Sequence, residues 1–299
     1  MKTDFPMVYI IVLNWNGWKD TLECLESCQK LTYPRFRMVV VDNDSSDDST
    51  TQIRARFMDL PLIETSENLG FAGGNNAGIQ YALEQGAECV WLLNNDTVVA
   101  PDTLTELMAL LQSDARVGIA GSKVYYYDEP RPLNCAGGRI SRFTGYPFNI
   151  GRHETDRGQF DARQDVDYIL GCSFLIRASA IRATGLMDDR FFLYFEDADW
   201  SYRARRQGWR VVLAPKSLVW HKESRSVGLH SPRMIYYFAR NSLLFAQKAM
   251  PWVLPLTLVR TLQLFVIKRM IEGDFNKARL GWLGIADFFR RRFGRSTYV

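Results

Sequence analysis

The sequence lacks the features that would tie it to secretion, to a disulfide framework or to a zinc fold. Its 299 residues hold five cysteines, Cys24, Cys28, Cys89, Cys135 and Cys172, an odd number without paired metal-ligand spacing. A reducing setting is the simpler reading of them. No cleavable leader is visible, because residues 1–6 run straight into a strand-like segment with no small-residue cleavage site behind it. The protein is therefore expected to stay on the side of the membrane where it is made. Internal repeats and low-complexity tracts are also missing. So is a clean apolar run of the roughly 20 residues that a spanning helix needs. The best candidate, residues 250–267, is interrupted by Pro251, Pro255 and Arg260.

The net charge of +4 is small, yet residues 260–295 alone carry nine Lys/Arg against three Asp/Glu. The basic excess is thus a C-terminal property, and the rest of the chain is slightly acidic. The same stretch is rich in Trp, Phe and Leu. That mixture favours an anionic membrane surface over a solvated face, an oligomer contact or nucleic acid, and no nucleic-acid partner is expected. With 47% hydrophobic residues the chain can bury a core of ordinary density.

Residues 8–13 form a short β-branched apolar run ending at Asn14, as a buried parallel strand would. A helical pattern follows through Leu22, Leu25 and Cys28. Pro34 breaks it, and residues 37–41 supply a second buried strand ending at Asp42. The alternation continues with a helix to about Phe57, a strand at Leu62 and Ile63, a helix over residues 77–85, and a strand over 89–93 ending at Asn94-Asn95-Asp96. It resumes with a helix over 104–111 and a strand over 118–121. Such alternation predicts a doubly wound α/β sheet whose ligands lie beyond the carboxyl ends of the strands. Asn14, Asp42 and Asp96 all fall at such ends. Residues 125–167 are irregular and predict an excursion over the site. Order returns over 168–176, then a helix-like charge order over 191–207, then closing strands at 211–213 and 218–220.

Five places in the chain carry chemistry-bearing residues. The acidic loop after Asp42 suits a base edge and ribose, and suits equally a cap on the next helix. Asp96 ends a buried strand, where a carboxylate is costly unless it binds something; a cation holding a diphosphate needs oxygen ligands at such a point. The stretch Gly70-Phe-Ala-Gly-Gly-Asn-Asn-Ala-Gly78 does not match the dinucleotide fingerprint. It reads either as a close backbone approach to a ligand or as a turn in which Asn75 or Asn76 caps the next helix. Phe195-Glu-Asp-Ala-Asp-Trp200 places three carboxylates among aromatics, an environment that can poise a base near neutral pH. Asp199 is also open to pairing with a nearby arginine. His221, beside Trp220 at a strand end, is a candidate metal ligand.

Taken in order, Val12-Leu-Asn-Trp-Asn16, Val41-Asp-Asn-Asp-Ser-Ser-Asp47, Asn68-Leu-Gly-Phe-Ala-Gly-Gly-Asn-Asn-Ala-Gly78, Leu93-Asn-Asn-Asp-Thr97 and Phe195-Glu-Asp-Ala-Asp-Trp-Ser-Tyr-Arg203 resemble glycosyltransferase family 2. Within it they are most similar to the bacterial rhamnosyltransferase-like branch that builds cell-surface polysaccharide. The resemblance covers residues 8–221. It implies a GT-A catalytic domain over residues 1–230 and leaves residues 231–299 as a C-terminal amphipathic, membrane-associating helical region. It further implies inverting transfer of a sugar, rhamnose leading, from a dTDP- or UDP-sugar donor to a glycan or lipid-linked acceptor, at the cytoplasmic face of the cell membrane. Asp197 matches the family's base, with Glu196 beside it. Asp96 and His221 match the residues that hold Mg or Mn, although Asn94 stands where the family's metal motif is usually acidic. Donor contacts are implied for Asn14, Asn16, Asp42, Asn68, Gly73, Asn75, Asn94 and Asn95. A sugar-phosphate nucleotidyltransferase or a non-catalytic sugar-binding protein are the alternatives. The first would want a glycine-rich basic loop near residues 14–18, and the second would lack the acidic pair.

Overall fold

A computed structural model describes residues 5–128, 130–162, 164–222 and 231–299. The expected junction between catalytic domain and C-terminal region, at residues 230 and 231, abuts the stretch 223–230, and that stretch and residues 1–4 lie outside the described residues. In chain order the elements are β1 (Val8–Asn14), α1 (Trp18–Cys28), β2 (Phe36–Asp42), α2 (Ser49–Arg56), β3 (Leu62–Glu64), α3 (Gly70–Glu84), β4 (Cys89–Asn94), β5 (Thr97–Val99) and α4 (Thr103–Ser113). They continue as β6 (Val117–Tyr126), β7 (Leu133–Cys135), β8 (Gly138–Ile140), β9 (Pro147–Asn149), β10 (Gln164–Asp165), β11 (Ser173–Arg177), α5 (Ala178–Thr184), α6 (Glu196–Arg206) and β12 (Arg210–His221). Helices α7 (Pro232–Ala249), α8 (Leu254–Leu262), α9 (Lys268–Ile271) and α10 (Phe275–Phe289) complete the fold.

The apolar runs around Ile10, Val40 and Leu92 become central strands because both of their faces are covered. Ile10, Val40 and Trp91 pack beneath α1 and α4 on one side of the sheet, and Ile11, Val41 and Leu92 beneath α3 on the other. The main sheet runs β10-β12-β6-β11-β4-β1-β2-β3. Strands β3, β2, β1 and β4 pair in parallel, so Asn14, Asp42 and Asn94 emerge at one edge. The sheet as a whole is mixed, because β11 lies antiparallel between β4 and β6. The two closing strands expected at 211–213 and 218–220 are one strand, β12, with a register shift between Ala214 and Leu218. The five cysteines are free and buried.

Two helix starts differ from expectation. Helix α3 opens at Gly70 rather than near residue 77, so the glycine-rich stretch is itself helical. Its glycines serve close packing: a Cβ on Gly78 would stand 2.6 Å from Ile11, and one on Gly74 2.5 Å from Leu13. Asn75 and Asn76 are therefore not caps. Asn75 donates to the Phe71 carbonyl one turn back, and Asn76 bonds the backbone of Met187. Helix α6 begins at Glu196 rather than near residue 191, and what precedes it is a turn with φ values of 63°, 70° and 76° at Phe192, Tyr194 and Phe195.

The C-terminal helices are built into the body. Buried residues of α7 such as Ile235, Leu243 and Phe245 share one core with Phe191, Phe195 and Ala198. Lys248 bridges Asp188 and Asp199 at 2.5 and 2.6 Å, and Asp199 also takes Arg203 at 2.8 Å, the arginine pairing open from its sequence. Of the apolar residues in this C-terminal region, Phe265 is buried and Leu254, Leu258, Leu262 and Leu264 are partly covered. Trp252 and Leu256 remain exposed. Among the described residues no helix is long and apolar enough to cross a membrane.

Candidate active site

The edge where β1, β2 and β4 end opens into a cavity of about 640 Å³. Behind its wall on this side lies an amide and hydroxyl network in which Asn14, Asn16 and Asp42, expected at the donor, support the strand ends without lining the cavity. Asn14 is fully buried; its Nδ2 donates to Asp42 Oδ1 at 2.7 Å and its Oδ1 accepts from Thr21. Asp42 also accepts from the Ser45 backbone and hydroxyl, so its carboxylate is occupied in shaping the following loop. Asn16, exposed and at φ 51°, accepts from the Ser46 backbone at 2.7 Å and fastens the same loop to the end of β1. Asn68, Asn94, Asn95 and Asp96 line the cavity itself. Gly73 and Asn75, expected at the donor, do not. Gly73 packs on Leu69 and Asn75 is buried in α3, because the helix that starts at Gly70 turns both inward.

Sequence reasoning passed over Asn43, which ties this edge together. Its Oδ1 accepts from Leu69, and its Nδ2 donates to Asn68 and to the Gly70 carbonyl. Gly70 has φ 72°, and a Cβ there would sit 2.4 Å from the Phe192 carbonyl. The start of α3 thus lies directly against the turn that leads into α6.

Asp96 and His221 come together from the end of β4 and the end of β12, with His221 Nε2 3.1 Å from Asp96 Oδ1 and 3.4 Å from Asn94 Nδ2. Burial disfavours charge on both groups. Their mutual attraction overrides it, so the Asp96 carboxyl is held below its ordinary range and the His221 ring well above its own. Among the described residues, no group of three His, Cys, Asp or Glu side chains gathers here. One carboxylate, one imidazole and the neighbouring Asn94 amide nonetheless make an oxygen and nitrogen donor set with room left over. That set fits a hard divalent cation whose remaining positions belong to phosphate oxygens and water.

Glu196 and Asp197 line the same cavity. Asp197 accepts from the Gly171 N–H at 2.9 Å and the Ala198 N–H at 2.7 Å. Burial pushes its carboxyl up to about 6, with these backbone donors pulling the other way. Glu196 is less well supported: its Oε2 is buried without a hydrogen-bond partner. Burial, and then the charge of Asp197, raise it well above the carboxylate range, so Asp197 is the member of the pair that gives up its proton more readily.

What holds this pair in place comes from α7, where the sequence offered a signal that was not used: a polar Arg-Asn pair inside an otherwise apolar helix. Asn241 is fully buried, and its Nδ2 contacts the carbonyls of Phe191, Leu193 and Tyr194 at 2.8, 2.8 and 3.0 Å. Arg240, also buried, donates to the carbonyls of Arg190, Phe191 and Gly294. The three left-handed residues of the turn cost about 1–3 kcal/mol each, and this latch offsets the strain. Asn241→Ala should leave the protein folded and lower kcat by about 10- to 100-fold, as a misplaced catalytic group does. The acid limb of the pH profile should move to lower pH, because a loosened turn lets water reach Asp197. Wild-type kcat and an unmoved limb would refute the latch.

A family model described as "Glycosyltransferase like family 2" matches residues 6–234. The chain is 30% identical over 207 residues to the low-salt glycan biosynthesis hexosyltransferase of Haloferax volcanii, covering 66% of this chain and 61% of that protein. It is 24% identical over 255 residues to the dTDP-rhamnosyl transferase RfbF of Shigella flexneri, covering 81% of this chain and 80% of the relative. In fold it resembles the mannosyltransferase PcManGT from Pyrobaculum calidifontis, solved with GDP-Man and Mn2+, at a TM-score of 0.61 and 17% identity over 99% of this chain and 78% of that one. The mixed sheet with its strand-end cavity is thus the GT-A fold, and the chain belongs to glycosyltransferase family 2, with rhamnosyltransferases among its relatives.

Proposed function

We propose that this protein is an inverting glycosyltransferase that moves a sugar, rhamnose leading, from a dTDP- or UDP-sugar to a glycan or lipid-linked acceptor of cell-surface polysaccharide. The observation that carries the reading is that Asp197 faces the same cavity as Asp96 and His221. A carboxylate poised near 6 is a base at neutral pH, and it shares the cavity with a donor set suited to a cation-bound diphosphate. RfbF and the mannosyltransferase, by their names, act with nucleotide sugars, which supports the donor class.

In the reaction, the Asp197 carboxylate accepts the proton of the acceptor hydroxyl as that oxygen attacks the anomeric carbon. The new bond forms on the face opposite the diphosphate, the bond from the anomeric carbon to the diphosphate oxygen breaks, and its electron pair leaves with the nucleoside diphosphate. One carboxylate base suffices, unlike the two-carboxylate arrangement of hydrolases. Glu196, whose proton is held more tightly, would donate a hydrogen bond to a sugar hydroxyl in the cavity. Asp96 and His221, with Asn94 nearby, would hold Mg or Mn, which when bound offsets charge growing on the leaving diphosphate. Asn68 and Asn95 would contact the donor, while Asn14, Asn16 and Asp42 shape the loop beside it. Helices α8 to α10 would rest the protein on the inner face of the cell membrane.

The test is a panel of nucleotide sugars scored by nucleoside diphosphate release with and without Mn2+. Release from a dTDP- or UDP-sugar that depends on Mn2+ is expected. Exclusive use of a guanosine-diphosphate donor would overturn the donor assignment, and release of pyrophosphate from a nucleoside triphosphate would point to a nucleotidyltransferase.

A further inference from the structure

The cavity has a second, aromatic half away from the strand ends, lined by Tyr146, Phe148 and Arg260. Arg260 lies on α8, with its guanidinium 4.9 Å from the centre of the Tyr146 ring. Tyr146 meets Phe195 edge-on at 5.6 Å, and Phe195 immediately precedes Glu196. Arg260 is therefore two rings from the acidic pair. Arg190, Arg203 and Lys248 around the same core each hold a carboxylate. Among the described residues none lies within ion-pair distance of Arg260. A guanidinium stacked on a ring keeps its N–H donors in its own plane, directed away from the ring and suited to a phosphate oxygen.

The helix that carries Arg260 also carries an unusual exposed face. Leu256 and Val259 on α8 and Trp252 in the turn before it are spaced as one helical stripe, with Arg260 adjoining it, and Ile267 and Ile271 extend it beyond the end of α8. Neighbouring α10 exposes Phe275, Trp282 and Phe289 at intervals of seven residues. Soluble surfaces seldom leave so much contiguous apolar area wet. Arg260 sits where this apolar face reaches the cavity.

We propose that Arg260 is an acceptor subsite for a phosphate that joins the acceptor sugar to a lipid, whose chain lies along the exposed face of α8. The anion is not the donor's diphosphate, whose place is at the strand ends beside Asp96. This proposal rests on the glycosyltransferase reading of the cavity, and it narrows the acceptor from glycans in general to phosphate-linked lipid carriers.

Calorimetric titration of the full chain, with UDP and Mn2+ filling the donor end, tests it with farnesyl diphosphate, farnesol and inorganic diphosphate as probes. Farnesyl diphosphate should bind at least about tenfold tighter than either fragment, and Arg260→Ala should lose about tenfold or more, the scale of a charged hydrogen bond. Arg260→Lys should recover part of the loss. Replacing Leu256 and Val259 together by Ser should weaken farnesyl diphosphate and leave inorganic diphosphate unchanged. Unaltered binding by Arg260→Ala, or inorganic diphosphate binding as tightly as the lipid, overturns the proposal. Failure of the underlying reading shows elsewhere, as absent UDP binding and absent nucleoside diphosphate release.

Discussion

Asp197→Asn will keep donor binding and lower sugar transfer by about 10²- to 10⁴-fold, the range lost with a general base. The amide is nearly isosteric, so the turn before α6 is preserved, but it cannot take the acceptor's proton. One of the two backbone donors, from Gly171 or Ala198, will face an NH₂ group instead of a carboxylate oxygen. A stability loss of about 1–3 kcal/mol from that mismatch is expected alongside the kinetic one. The pH profile distinguishes the base from its neighbour. The active form is the carboxylate, and its proton affinity is raised to about 6, so wild-type kcat/KM should be level above that pH and fall about tenfold per unit below it. In the variant that limb should vanish. Glu196→Gln should be far milder, since burial and the charge of Asp197 raise the proton affinity of Glu196 and leave Asp197 the readier to ionise. Were Glu196→Gln dead and Asp197→Asn active, the base would be the other residue.

Removing the carboxylate at the end of β4 is expected to be nearly as severe. Asp96→Ala should cut turnover by about 10²- to 10³-fold, as loss of one transition-state charge stabiliser does. It should also take from His221 the carboxylate partner that raises its proton affinity against the pull of burial. EDTA should bring the wild type to the level of the variant, and added Mn2+ should rescue only the wild type. Full activity in EDTA would defeat the metal assignment.

Both predictions rest on residues that the sequence could name but not bring together. Asp96 and Asp197 were legible because each stands beside features with few physical uses: a carboxylate closing a buried apolar strand, and an acidic cluster set among aromatics. The central strands were legible for the same reason, since a fully apolar β-branched run has nowhere to go but the centre of a sheet. The donor contacts were less legible. Asn75 and Gly73 belong to a motif whose glycines looked like a turn, and only the packing of α3 against Ile11 and Leu13 shows that those glycines let a helix approach the sheet.

By itself, then, the sequence determined the α/β alternation, the strand ends that carry Asn14, Asp42 and Asp96, and the acidic pair, because local pattern and the cost of burying charge fix these. Tertiary structure alone decided that β12 carries His221 back to Asp96, that Asn241 and Arg240 of α7 hold the strained turn before Glu196, and that Arg260 of α8 reaches the cavity. The reason is distance along the chain: each of these contacts joins residues some 50 or more positions apart, where no periodicity or spacing rule operates and only the packing of whole elements sets which side chains meet.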